Sequence, residues 1–330
     1  MDGAVDGLQL IHQSAELKRL PEPSVYVLHT IHNLRTEFMV VSMSLTGLVV
    51  LHAFKSDIEG FFHPDAGFVM NTAVQGFRTR YIGGAEKGGI AVGEDLAGFE
   101  VENLESLMLL LLVLGHEAAH LLNVHGRYRD QANDETKALE AWADFFGTKV
   151  AMVVMTIGDK VQDLVSSLPG GDKTGARLDA IGQAIGRLAT TYFDTDDGRY
   201  EPAPVRVATC VAGVMSALDT FWRLNGIDRD VGRSINVQLR LYQAPAMKDM
   251  LARVGAATPD RAQIPAIRRI HQAIQGDRSS ITAGMQPLPA EWLRTNYEGS
   301  EEERVARVKE DLELLKAELT RIGFDGPDDE

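Results

Sequence analysis

An uninterrupted apolar run leads directly into two histidines and a glutamate, and few folds can accommodate this combination. Residues 107–114 read LMLLLLVL, and His116, Glu117 and His120 follow. A helix that is apolar on every side belongs in a protein interior, where burying a charged group is costly unless it has a partner. The sequence therefore predicts a core helix over about residues 103–123, whose ionisable groups share a partner such as a metal ion.

The motif HEAAH on this helix has the spacing of a metal site. Residues four apart lie on one helical face, so the imidazoles of His116 and His120 could bind one ion from the same side. Glu117 is rotated about 100° away along the helix and could hold a water molecule beside the metal. This pattern predicts a zinc ion, with Glu117 as a catalytic base.

A second helix, predicted over about residues 134–156, carries Glu140 and Asp144, again four residues apart. A catalytic zinc site needs three protein ligands and one open position, and Glu140 could supply the third ligand. Asp144 could accept a hydrogen bond from the outer ring nitrogen of a ligand histidine, which fixes the tautomer of that histidine.

These segments resemble a known group of enzymes. HEAAH followed by EAWAD, with Glu140 twenty residues after His120, resembles the gluzincin metallopeptidases, among them the thermolysin-like enzymes. The stretch GGIAVGEDL…LGHEAAHLLNVH is also similar to heat-shock membrane peptidases and CAAX prenyl proteases. The resemblance covers roughly residues 85–150. It implies a zincin-like catalytic core, a zinc ion and a protein or peptide substrate, without identifying a subfamily.

A hydrolase of this kind also needs a group that stabilises the oxyanion of the tetrahedral intermediate. Tyr200 and Arg206, in the segment RYEPAPVR, are the candidates, and His271 is a more distant one. The likeness to prenyl proteases, which often carry a proline-containing segment and an arginine, supports this choice. His125 lies nine residues after His116, whereas a metzincin ligand would lie ten after it. His125 is therefore interpreted as a residue beside the site or a helix cap.

The fold class follows from the distribution of glycine and apolar residues. Residues 60–100 hold nine glycines and β-leaning runs, which predict a small sheet of short strands; the strand near Gly89–Val92 is expected to pair with an extended peptide. The chain after Val101 is predicted to be mainly helical. The prediction is a mostly helical α+β protein. The resemblance to gluzincins implies that residues 1–165 form a zincin-like core. It also implies that residues 176–330 form a helical region that completes the active-site cleft, and this region is expected to end in a disordered acidic tail.

Composition excludes several classes of function. The net charge of −14 and pI of about 5.1 argue against a nucleic-acid partner, which needs a basic surface. No apolar stretch reaches the roughly 20 residues of a membrane span, and the N-terminus carries acids where a secretory signal carries Lys or Arg. A single cysteine, Cys210, cannot form an intrachain disulfide. The sequence favours a cytoplasmic protein without a membrane span.

A heptad seam marks the predicted helix at 300–322. The apolar residues are three and four positions apart, namely Val305, Val308, Leu312, Leu315, Leu319 and Ile322. Because fewer than three heptads make a short coiled coil, the seam favours docking onto the protein's own body. Self-association through this helix is the alternative.

Three hypotheses follow. The first is a zinc-dependent peptidase, the second a zinc-binding regulatory or interaction protein with a gluzincin-like fold and little hydrolytic activity, and the third a partner-recognition protein without metal. Glu117 favours the first, because a purely structural metal site has no use for a base beside an open position.

Overall fold

The structure is a computed structural model whose contacts divide the chain into two units, Met1–Ser44 and Leu45–Glu330. It describes residues 44–76, 79–82, 88–125, 133–193, 200–228, 230–254, 269, 272–273, 283–295 and 300–321. The elements below all belong to the second unit. His271 and the acidic tail, both named in the sequence analysis, lie outside the described residues.

The described elements are mostly helices with one small sheet. The strands are β1 (Asn71–Val74), β2 (Arg80–Ile82) and β3 (Gly89–Val92). The helices are α1 (Gly47–Gly60), α2 (Glu94–Ala97), α3 (Leu104–Leu122), α4 (Asn133–Ile157), α5 (Asp159–Ser167), α6 (Thr174–Thr191), α7 (Ala203–Leu224), α8 (Val231–Gln243), α9 (Pro245–Val254), α10 (Pro287–Leu293) and α11 (Glu301–Arg321). The expectation of a mostly helical α+β chain is confirmed.

Helix α3 is the core helix that the apolar run predicts. It begins at a capping box, in which the Asn103 side chain accepts from the Ser106 N–H at 2.9 Å and the Ser106 hydroxyl accepts from the Asn103 N–H at 3.2 Å. Such a reciprocal pair satisfies amides that a helix start leaves open. Leucines on all sides of α3 are buried, so the helix places its last two turns, which carry the motif, inside the protein.

Helix α4 lies between α3 and α7, and glycines allow its close approach to α3. A β-carbon on Gly147 would lie 2.6 Å from both the backbone nitrogen and the Cα of His116, and one on Gly115 would collide with the Gly147 carbonyl. Real β-carbons do not come so close. The two backbones therefore touch beside His116, which places the Glu140 and Asp144 side of α4 opposite the histidines.

The sheet has the order β1-β3-β2. Strand β3 pairs in parallel with β1 and antiparallel with β2, is buried along its length, and contacts α3. The sequence correctly predicts short strands in this region. The expectation that the Gly89–Val92 strand pairs with a peptide is wrong, because both of its edges are occupied. Within the described residues, β1 and β2 are the outer strands.

Helices from both sides of residue 165 pack together, since α6 contacts α3 and α7 contacts α4. One link between α4 and α7 is polar: the ammonium of Lys149 donates to the hydroxyls of Ser216 and Thr220 at 3.1 and 3.3 Å, and also to the Arg294 carbonyl. The division of the chain into a core over 1–165 and a region over 176–330 stays a prediction.

Two described helices are long and apolar enough to cross a membrane by length and composition alone. They are α3 and α7, whose most apolar windows are 72% and 44% buried inside the protein. Both also carry polar groups that pair within the protein, His120 on α3 and Arg206 on α7. Core helices pass the same test of length and composition, so the expected absence of a membrane span stays a prediction.

Candidate metal centre

His116, His120 and Glu140 bring three ligand atoms together between α3 and α4. The Nε2 atoms of the two histidines lie 3.2 Å apart. Oε2 of Glu140 lies 3.2 Å from Nε2 of His116 and 3.4 Å from Nε2 of His120. The three residues form a group that could hold a metal ion. The i, i+4 spacing on α3 and the contact between the two helices produce this geometry.

The three distances fit tetrahedral coordination. Nitrogen and oxygen ligands about 2.0–2.1 Å from a tetrahedral zinc ion lie roughly 3.3–3.4 Å from one another. Each of the three atoms offers a lone pair when the histidine protons sit on the Nδ1 atoms. Three lone pairs at this separation repel one another unless a cation lies between them. The residues present therefore fit a metal ion in both spacing and chemistry.

The electrostatics of the site also favour a cation. Burial alone would lower the pKa of His116, but its hydrogen bonds to Asp144 and Glu140 raise that pKa to about 10. Burial would raise the pKa of Glu140, but the charge of His120 and the hydrogen bond to His116 lower it well below its usual value. The pocket thus stabilises positive charge beside an ionised carboxylate. A proton and a metal ion would compete for this position.

Both candidate ligand histidines have a second partner at the outer ring nitrogen. Nδ1 of His116 lies 2.9 Å from Oδ1 of Asp144, an acceptor when ionised, so His116 donates there. Nδ1 of His120 lies 2.7 Å from Nδ1 of His125. Such partners fix the ring orientation and direct Nε2 towards the position that a metal would take. The structure therefore brings Asp144 to the position the sequence assigned to it, and adds His125 on the other histidine.

His125 reaches His120 through an unusual backbone turn. After α3 ends, Val124 adopts a positive φ of 51°, a left-handed conformation that is strained for a β-branched residue. The turn folds the chain back, so that the rings of His120 and His125 lie 4.8 Å apart with their planes nearly perpendicular. Strain of this kind persists only where the surrounding structure enforces it. The sequence does not predict the positive φ at Val124, because valine disfavours this conformation.

The structure places Arg206 beside Asp144. Its Nε and Nη2 donate to the two carboxylate oxygens at 2.7 and 2.9 Å. The guanidinium lies over the ring of Phe193 at 3.8 Å and over that of Tyr200 at 4.5 Å. Burial would raise the pKa of Asp144, but the charge and hydrogen bonds of Arg206 lower it. The oxyanion role predicted for Tyr200 and Arg206 stays a prediction, since these contacts do not involve a substrate.

Sequence reasoning missed two contributors to this site. Phe193 stacks on Arg206, and its only signal is an aromatic residue just before the acidic stretch DTDDGR. Gly147 permits the close contact of α3 and α4, and a glycine inside an otherwise strong helical pattern is the signal that could have found it.

The centre combines three candidate ligands, two outer-nitrogen partners and one carboxylate beside the ligands. Glu117 is half-buried on α3, next to His116 in sequence and about 100° away around the helix. A metal with three protein ligands keeps a position for water, and a carboxylate nearby could take a proton from it. No family model, no curated protein and no solved structure matches this chain.

Proposed function

We propose that this protein is a zinc-dependent peptidase that binds zinc through His116, His120 and Glu140. The observation that carries the proposal is the triangle of ligand atoms, 3.2, 3.2 and 3.4 Å apart. The HEAAH motif, which also contains Glu117, and Glu140 together form this triangle. Two imidazoles and one carboxylate suit zinc. The arrangement of Asp144 and His125 behind the histidines supports a site built to bind metal strongly.

A bound zinc ion supplies a Lewis acid and lowers the pKa of a coordinated water molecule towards 7. The side chains of the protein orient the ligands and transfer the proton. Asp144 holds His116 in the tautomer protonated at Nδ1, His125 holds the ring of His120 through its Nδ1, and Glu140 contributes negative charge. Glu117 accepts a proton from the attacking water on its carboxylate and passes it to the leaving amine. This division of labour requires Glu117 to be near the open position without being a ligand.

The peptide substrate is supported by the resemblance to gluzincins and by the sheet. HEAAH, Glu140 and Asp144 stand in the gluzincin order, and the small sheet contacts the motif helix through β3 and β2, as a zincin-like core would require. With β3 occupied on both edges, β2 is, among the described strands, the outer one on the side that contacts α3. An extended peptide that added to this edge would gain main-chain hydrogen bonds independent of its sequence.

The experiment that tests the proposal separates metal binding from catalysis. The purified protein is expected to contain about one zinc per chain, and His116→Ala and Glu140→Ala are expected to lose it. Retention of full zinc by the double variant of His116 and His120 would refute the ligand assignment.

Glu117→Gln is expected to keep zinc while cleavage of a mixture of unstructured peptides, followed by mass spectrometry, falls by a factor on the order of 10² or more. The change preserves size and removes basicity. If the wild-type protein holds zinc but neither it nor Glu117→Gln cleaves any peptide, the metal-holding regulatory protein becomes the better hypothesis. If the variant cleaves as fast as the wild type, Glu117 is not the base.

A further inference from the structure

We infer that Arg206 is a positioning residue of the proposed metal centre, acting on His116 through Asp144, and that Phe193 and Tyr200 hold its guanidinium in place. The inference rests on the proposed zinc site but assigns a role to residues that do not touch the metal. It gives Arg206 a task different from oxyanion stabilisation.

The contact between Arg206 and Asp144 is a two-point bond between buried groups. Nε donates to Oδ2 and Nη2 to Oδ1, and the two side chains are only 6% and 2% exposed. Parallel bonds of this type fix the rotation of a carboxylate as well as its position. Asp144 therefore has one orientation, whereas a single hydrogen bond would leave it free to turn.

The orientation of Asp144 determines the hydrogen bond that His116 makes through Nδ1. Oδ1 of Asp144 accepts hydrogen bonds from both Nη2 of Arg206 and Nδ1 of His116, each at 2.9 Å. If Arg206 were absent, Asp144 would be a buried charge without its cation, which is costly. The carboxylate would then turn or admit water to recover hydrogen bonds. Either response removes the fixed acceptor that aims the His116 ring at the metal position.

Phe193 and Tyr200 complete the arrangement from two sides of the guanidinium. Phe193 follows α6, Tyr200 precedes α7, and their rings lie 3.8 and 4.5 Å from the Arg206 guanidinium carbon. Attraction between the cation and the ring faces strengthens when the cation is shielded from water. The rings also prevent the guanidinium from swinging away from Asp144. Phe193 and Tyr200, the residues on either side of 194–199, therefore both contact the guanidinium that orients Asp144.

A purely structural role for Arg206 is the competing explanation, since Arg206 joins α7 to α4. Lys149 provides a matched comparison, because it is also a buried basic side chain between these helices, bonded to Ser216 and Thr220. If both side chains only hold the helices together, their loss should affect metal binding equally. If Arg206 positions His116, only its loss should weaken metal binding.

The test compares Arg206→Gln, Arg206→Lys, Phe193→Leu and Lys149→Met in the full chain. Zinc affinity is measured by competition with a chelator, and cobalt(II) absorption reports the ligand geometry independently of activity. Arg206→Gln is expected to weaken zinc binding roughly 10–100-fold, as loss of an outer partner does, and to change the cobalt spectrum. Arg206→Lys keeps the positive charge but cannot make the two parallel hydrogen bonds of the guanidinium, so its zinc affinity should lie between those of Arg206→Gln and wild type. Phe193→Leu should show a smaller loss in the same direction.

Lys149→Met should lower the melting temperature while leaving zinc affinity within about twofold of wild type, because it touches no group that contacts a ligand. Wild-type affinity and cobalt spectrum in Arg206→Gln, with zinc still bound, would overturn the inference and leave the proposed zinc site standing. Equal weakening by Arg206→Gln and Lys149→Met would also overturn it. A wild-type protein that binds neither zinc nor cobalt would overturn both the inference and the proposed function.

Discussion

Asp144 contacts a candidate metal ligand and a buried cation at once, which makes it the most sensitive single position behind the site. Asp144→Asn keeps the shape but removes the charge and turns an amide group towards His116 or Arg206, both of which are donors. We expect zinc affinity to fall roughly 10–100-fold and the melting temperature to fall as well. Titration with a competing chelator measures the affinity, and circular dichroism measures the unfolding.

Asp163→Asn, at an exposed carboxylate on α5, is the control and should change stability by less than about 0.5 kcal/mol. Identical zinc affinities of wild type and Asp144→Asn would remove Asp144 from the site. That result would also weaken the assignment of Glu140, since both residues lie on the same face of α4.

Helical periodicity explains which of these residues could be found from the sequence. It places His116 with His120, and Glu140 with Asp144, because each pair lies within one turn of one helix. It cannot choose the partner of Asp144, which is 62 residues away on α7. That choice depends on how α4 and α7 pack, so the sequence singled out Arg206 without finding its contact.

At the scale of helices, Gly147 sets the distance between α3 and α4. Alanine normally stabilises a helix relative to glycine by roughly 0.5–1 kcal/mol, but here its β-carbon would meet the His116 backbone at 2.6 Å. We expect Gly147→Ala to push the helices apart, to destabilise the protein by about 1–3 kcal/mol and to weaken zinc binding. Chemical denaturation and chelator competition give the two quantities.

Gly60, at the end of α1, is the matched control because a β-carbon there meets no atom within 4 Å. Gly60→Ala should be neutral or slightly stabilising and should leave zinc affinity unchanged. Wild-type stability and affinity in Gly147→Ala would show that the backbones of α3 and α4 are not in contact at His116.

The elements that the sequence predicts well are those with local signals. Helices α3, α4 and α11 match their predicted bounds within about two residues, the expected uncertainty of helix ends. Helix α5 was missed because its start has no local cap: the N–H groups of Lys160 and Val161 donate to the carboxylate of Asp57 at 3.0 and 2.8 Å. Because the capping residue is Asp57 on α1, the sequence around Gly158 contains no capping signal for this helix.

At the scale of the whole molecule, Lys149 should make stability depend on pH. Burial lowers its pKa from 10.5 to about 7, although Asp219 and Glu291 pull in the opposite direction. Between these values the unfolded chain binds the proton and the folded chain does not, so the free energy of unfolding rises with pH from about 7 towards 10. The slope is at most about 1.4 kcal/mol per pH unit. Denaturation curves of wild type and Lys149→Met should differ in this slope, and parallel curves would contradict the prediction.

Helix α11 should bring two copies of the chain together. It contacts α8, where Glu318 lies beside Gly232, and docking through the apolar seam itself stays a prediction. In the N-terminal half, Val305, Val308 and Leu312 remain 57%, 54% and 51% exposed. They follow the three-and-four spacing of a coiled-coil seam, and burying them against a second copy would remove that apolar surface from water.

Because the seam of α11 is short, we expect a weak dimer that light scattering or sedimentation detects as concentration rises. Leu312→Glu should abolish it, while Leu239→Glu, equally exposed at 51% but on α8, should not. A wild-type protein that stays monomeric at every concentration would exclude self-association through α11.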